Sequence, residues 1–272
     1  MGLFGTVFNR AGIYDMFFFN IKTVLEYKDL PSLERENPML YERWEHLCNW
    51  KYVVDYEKVY TGEMRAEEAK QLTYEKHAVK HPEYCKIVAI TYATLKNEDD
   101  KIVRVLKKIV NNDETIVIKQ FFDVLRFLSS NGVSANPQFF PTLCGHDIIG
   151  RDIPFLLKRH IMLSKKNGSS ITDKQIPFML KRSLDSKPWE SGVIIDTANV
   201  WKLNGYDRFS LMMISDFLGL KKTVEVVSHK ELSKYYWDNV GSSEKDTLDY
   251  IGLQSATQTN LIIQLMNELK EY

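Results

Sequence analysis

The side chains that could carry chemistry fall in a few places. Cys48, Cys85 and Cys144 are scattered and odd in number, so they form neither a metal spacing nor a disulfide framework, which suits a reducing compartment. His77 and His81 stand four apart and would share a helix face as a metal pair, but Pro82 follows and no Cys or carboxylate pattern matches them. From Lys158 to Lys187 there are eight Lys or Arg against Asp173 and Asp185, a local balance of plus six. Within it, Lys165, Lys166, Lys181 and Arg182 are candidate contacts for nucleic-acid phosphates; a solvated loop, or a surface docking an acidic partner, is an equal reading. Tyr235-Tyr236-Trp237 could stack bases, but its tight spacing beside Leu232 favours core packing. Tyr41, Trp44, Trp50 and Tyr60 lie in a weakly patterned stretch and form a candidate partner surface if that stretch is left uncovered. Asp152, with Pro154 two residues on, reads as a helix N-cap.

These residues must be positioned by a chain of 272 residues with 44% apolar and 26% charged content, which excludes wholesale disorder. Lys plus Arg and Asp plus Glu are each 36, so there is no global surplus of positive charge for binding nucleic acid by counterion release. No apolar run approaches the roughly 18–20 residues of a membrane span. Met1–Ile13 lacks the basic start and apolar stretch of a secretory signal, so a cytoplasmic protein is expected. Met16–Phe19 with Ile21, Thr23 and Val24 reads as a buried strand. Glu26–Trp50 is mixed, with Pro31 and Pro38 as breakers, and Tyr56–Lys80 looks too sparsely apolar to be core. Lys86–Leu95 and Ile102–Val110 predict a hairpin across a polar turn. Helices are predicted at Ile118–Leu128, Asp152–Leu163, Ser210–Leu218, Ser228–Trp237 and Ser243–Lys270, with short strands at Phe139–Cys144 and Val193–Ile195. The order describes an α/β fold, a mixed five-stranded sheet flanked by helices, in one domain over 1–272 with an inserted excursion at about 26–80.

Three segments carry a resemblance. They are Phe19-Asn20-Ile21-Lys22-Thr23-Val24; Gly145-His146-Asp147 followed by Arg151-Asp152-Ile153-Pro154-Phe155-Leu156; and the last predicted helix around Leu248–Thr259. With His77–Ile90 and Asp196–Gly219 between them, this ordered set resembles the 3′–5′ exonuclease family related to the proofreading domain of family B DNA polymerases, with an RNase H-like fold. The family's first motif reads Phe-Asp-Ile-Glu-Thr-Val, its second Gly-His-Asn then Phe-Asp-Ile-Pro-Phe-Leu, and its third Ile-x-x-Tyr-Cys-x-x-Asp-Val-x-x-Thr. Anchoring the third on Thr259 puts Ser255 at the aspartate; anchoring on Tyr250 puts Gln254 there. The first register is preferred because it also places Ala256 under the valine.

The resemblance implies four carboxylates holding two divalent cations about 3.5–4 Å apart around a phosphodiester. Their positions here are Asn20, Lys22, Asp152 and Ser255, of which only Asp152 is acidic. Lys22 puts an ammonium where a metal ligand is implied. At about 4 Å and an effective dielectric near 20, one unit charge is worth about 4 kcal/mol, and its sign is reversed. Lys22 is expected to form an ion pair with Asp152 rather than to stand alone or to hold a nucleic-acid phosphate, because a lone buried ammonium is costly. Asp152 then reads both as a vestigial ligand and as a cap. His146 is expected to be a packed turn histidine. Asp147, Asp196, Asp246 and Asp249 lie near motif positions; Asp147 stands where the family has Asn, but a two-metal site rebuilt from it and Asp152 alone has too few ligands.

The expected protein is therefore a catalytically degenerate exonuclease-fold protein that needs no cofactor. It would serve as a structural subunit or a nucleic-acid-binding component of a phage particle or replication complex, with protein partners or DNA, open to homo-oligomerisation and away from membranes. The alternative is an active metal-dependent 3′–5′ DNA exonuclease with displaced ligands, using Mg²⁺ or Mn²⁺.

Overall fold

Ten consecutive buried residues, Met16–Leu25, form strand β1, and their near-continuous apolar character matches a strand covered on both faces. The computed structural model describes residues 7, 12–51, 61–62, 64–98, 101–130, 141–166, 174–185, 194–202 and 209–271. The other strands are β2 (Cys85–Glu98), β3 (Lys101–Val110), β4 (Thr142–Gly145) and β5 (Ile194–Asp196). They form one open sheet in the order β3-β2-β1-β4-β5. β2 and β3 make the expected antiparallel hairpin, pairing from Ala89↔Val110 to Glu98↔Lys101, whereas β1 runs parallel to β4 and β4 parallel to β5. The fold is α/β with a mixed five-stranded sheet flanked by helices, as the sequence pattern predicts.

The chain packs as two compact units. The first comprises Met1–Lys22, Ile87–Val227 and Leu248–Tyr272; the second comprises Thr23–Lys86 and Ser228–Thr247. The excursion expected at 26–80 falls in the second unit, together with residues from the C-terminal part of the chain.

In the second unit, helices α1 (Leu30–Glu36) and α2 (Pro38–Lys51) are begun, not broken, by their prolines: Pro31 sits in the first turn of α1, after the Asp29 cap, and Pro38 opens α2. A proline lacks only an N–H that the first turn does not use. Helix α3 (Ala66–His77) follows. The expectation that this stretch is not core is overturned by Tyr74, which is fully buried and meets the edge of Trp44 at 5.4 Å between ring centroids. Trp44 also meets Tyr84 at 5.1 Å, and Tyr74 donates its hydroxyl hydrogen to the Tyr27 carbonyl. Trp44 is thus lost from the expected partner surface, while Trp50 remains 83% exposed; Tyr60 lies outside the described residues.

In the first unit, α4 (Glu114–Ser130), α5 (Ile153–Lys166), α6 (Gln175–Asp185), α7 (Thr197–Lys202) and α8 (Leu211–Leu218) follow the hairpin. Helix α9 (His229–Asn239), begun by a Ser228–Glu231 capping box, belongs to the second unit. The last helix, α10 (Glu244–Glu271), enters the first from Leu248 onward. One face of β1 presents Phe17 and Phe19 to Phe121 of α4; the other sends Met16 and Phe18 into a cluster with Leu211 and Ile214 of α8 and Leu261, Leu265 and Met266 of α10. This alternation, two residues per repeat, puts Asn20 and Lys22 on the α10 side.

Candidate functional site

The four motif positions come from three elements of the first unit, and the fold gathers them. β1 supplies Asn20 and Lys22, the turn leading into α5 supplies Asp152, and α10 supplies Ser255; all four are buried. Ser255 Oγ lies 3.4 Å from Asn20 Oδ1 and 3.3 Å from its carbonyl oxygen. Gln254, at the neighbouring register, turns away: its Oε1 accepts from Val227 N–H, and its Nε2 donates to the Glu225 carbonyl and the Tyr250 hydroxyl oxygen. Ser255, not Gln254, is the α10 residue that faces β1.

Asp152 reaches this place through an unexpected turn. Gly145 ends β4 where a Cβ would stand 2.3 Å from Ile148 Cγ2 and 2.9 Å from the Phe19 carbonyl oxygen, so only glycine fits. Asp147 adopts the left-handed region at φ 59°, and Ile148–Asp152 forms a π-helical turn leading into α5. Asp152 is therefore already helical and does not cap α5, contrary to expectation. Asp196 holds the turn, accepting from the N–H groups of Asp147, Ile149 and Ala198 at 2.7, 2.9 and 3.0 Å. These three bonds commit that carboxylate to the backbone. His146 is the packed turn histidine expected: Nε2 lies 3.1 Å from the Phe209 carbonyl oxygen and Nδ1 2.9 Å from Thr197 Oγ1, and burial lowers its pKa against the opposing pull of Asp196.

The expected ion pair between Lys22 and Asp152 is not formed. The contact of Asp152 Oδ1 is instead with Arg151 Nη1 at 3.7 Å, and its carboxyl also accepts the Ile21 N–H. Asp152 Oδ2 is buried without a hydrogen-bond partner. Lys22 thus feels both the Arg151 cation and the Asp152 carboxylate that Arg151 contacts. Lys22, 1% exposed, has its pKa pushed down to about 7, first by burial and then by Arg151, with Asp152 opposing. Burial pushes Asp152 up to about 6, with Asp147 adding to it and Arg151, the Ile21 N–H and Lys22 opposing.

Compared with family models, with curated proteins and with solved structures, the chain matches none.

The donor set does not fit the divalent ions that the resemblance implies. Hard cations need anionic oxygens. One carboxylate, one amide, one hydroxyl and one amine meet here, and among the described residues no three His, Cys, Asp or Glu side chains converge as a metal site. His77 and His81 accordingly make no such group, and the His81 ring packs against Trp44 and Tyr84.

The basic segment is less free than its sequence implies. Arg159 is buried, its Nε 2.9 Å from both Glu114 carboxylate oxygens, and Glu114 also accepts the Ile87 N–H at 2.7 Å. Lys181 is exposed but paired with Asp185 one turn along α6. Lys165 and Arg182 are exposed; of Lys166 only the backbone is described. In the second unit, the Tyr235-Tyr236-Trp237 run packs as expected at Tyr236, and Trp237 donates its indole N–H to the Leu25 carbonyl at 3.0 Å. Trp237 also borders a cavity of about 340 Å³, with Lys28, Glu75 and Lys230; none of Asn20, Lys22, Asp152 and Ser255 lines it. No described helix is long and apolar enough to cross a membrane.

Proposed function

We propose that this protein is a catalytically degenerate 3′–5′ exonuclease-fold protein, RNase H-like in architecture. In this reading it serves as a non-catalytic subunit of a larger assembly or as a nucleic-acid-binding component, in a phage particle or a replication complex. One observation carries the reading: the positions picked by motif order, Asn20 and Lys22 on β1, Asp152 before α5 and Ser255 on α10, are all buried, Ser255 lies against Asn20, Asp152 acts electrostatically on Lys22, and an amine stands where a metal needs a carboxylate. The central position holds an amine, so the cluster opposes the cations that two-metal chemistry needs.

Two features favour the assembly role over nucleic-acid binding. The net charge is zero, Arg159 is buried against Glu114, and Lys181 is paired with Asp185 on the surface. The test is an exonuclease assay on end-labelled single-stranded DNA with Mg²⁺ and then Mn²⁺, with Asp152→Ala as control. No degradation is expected from either protein. Degradation that disappears in Asp152→Ala overturns the reading and means that other carboxylates have rebuilt the site. A second arm restores the implied ligands with Asn20→Asp, Lys22→Glu and Ser255→Asp together. Calorimetry should then detect Mn²⁺ binding that the unaltered protein lacks; a folded triple variant without binding argues that the cluster is not a former metal site.

A further inference from the structure

Strand β3 is the edge of the sheet. β2 pairs with one side of it, and among the described residues no strand pairs with the other, leaving the outward N–H and C=O groups of a ten-residue strand open. Its sequence, KIVRVLKKIV, contains four cations and no acid. Arg104, Lys107 and Lys108 are exposed, and among the described residues their side chains form no ion pair or hydrogen bond.

The two faces of β3 can be assigned. A Cβ on Gly252 of α10 would stand 3.0 Å from Val110 Cγ2 and 3.4 Å from Lys108 Cδ, so Lys108 and Val110 face α10. Alternation then puts Arg104 and Leu106 on that face, and Val103, Val105 and Lys107 on the other. The cations therefore straddle the edge, and Val103, Val105, Leu106 and Val110 between them are only half-buried.

We propose that the β3 edge binds an acidic, extended segment of a partner protein, which adds to the sheet as a sixth strand. Such a strand alternates its own side chains across both faces, so its acids can meet Arg104 and Lys108 on one and Lys107 on the other. It would also cover the half-buried valines. A nucleic-acid backbone lying on one face would reach only part of this set. A second copy of β3 is disfavoured because antiparallel pairing sets like charges against each other. The inference stands on the hairpin alone and does not depend on the degenerate-nuclease reading.

The test uses the full chain and a fluorescein-labelled peptide Thr-Glu-Glu-Val-Val-Glu-Val-Thr, which in antiparallel register sets acids against Lys108, Lys107 and Arg104 and valines between them. Anisotropy should show saturable binding, with slowed amide hydrogen exchange confined to 101–110. Arg104→Glu, Lys107→Glu and Lys108→Glu together should weaken it by about tenfold or more, whereas Lys165→Gln, Lys181→Gln and Arg182→Gln should leave it unchanged. The same peptide with alternate amides N-methylated keeps its charge and loses strand pairing, so it should not bind. Equal binding of the methylated peptide overturns strand addition, and tighter binding of oligothymidine at the same three cations overturns the choice of a protein partner.

Discussion

Two buried charged clusters sit in the same unit and are built differently. Glu114 and Arg159 are closed: two carboxylate oxygens meet the Arg159 fork, the Ile87 N–H fills a further acceptor site, and both side chains are buried. Lys22 and Asp152 are open, with no ion pair between them, an orphaned Oδ2, and both groups shifted towards their neutral forms by burial. The first is how a fold stabilises a buried ion pair. The second leaves both of its charges poorly compensated.

The largest effect is expected at the closed cluster. Arg159→Ala leaves Glu114 buried and unpaired, and should destabilise the protein by about 3–5 kcal/mol in urea unfolding. A loss below 1 kcal/mol would erase the distinction between the clusters.

The open cluster should behave oppositely. Lys22→Met removes an uncompensated ammonium and should stabilise the protein by about 1–4 kcal/mol at neutral pH, the range seen when buried ions give way to apolar side chains. Its pH dependence has a definite sign. The folded pKa of about 7 lies below the ordinary 10.5, so between these values the unfolded chain holds a proton that the folded chain has released. Lys22 therefore costs most at and below pH 7, and the cost fades towards 10.5. The advantage of Lys22→Met should shrink over that window; an advantage constant with pH would mean that Lys22 is not held as a depressed amine.

The frame around the open cluster is still under steric constraint. Gly145→Ala drives a Cβ against Ile148 and the Phe19 carbonyl and should destabilise by about 1–3 kcal/mol, as overpacking does. A neutral result would show that the turn carrying Asp152 can yield.

The legible parts of this molecule are those fixed by local pattern. The apolar run of β1, the hairpin and the helices at Ser210–Leu218 and Ser228–Trp237 each depend on residues a few positions apart, and each is read closely from sequence. Glu114 with Arg159 was missed because the partners are 45 residues apart and Arg159 sits in a run that reads as surface charge. The π turn that leads Asp152 into α5 was not foreseen, because Ile148–Asp152 carries no composition signal for it. Trp44 and Tyr74 look like isolated aromatics on charged helices, and only their packing on Tyr84 shows them to be core. The four candidate positions came from motif order, and their convergence could be seen only in three dimensions.

The smallest expected effect tests the other half of the open cluster. Asp152 has a folded pKa near 6 against an ordinary 3.8, so the folded chain holds a proton in this interval that the unfolded chain has lost. Its favourable contribution is complete below pH 4 and disappears as pH rises through 6. Asp152→Asn keeps an acceptor for the Ile21 N–H and removes the titration, so it should change stability at pH 4 by about 1 kcal/mol or less. The unaltered protein should then lose stability relative to the variant between pH 4 and 6. Unfolding free energies at pH 4, 5 and 6 decide the matter. A difference that does not change with pH would mean that Asp152 is held ionised by Arg151, and the two clusters would then differ in geometry and not in charge state.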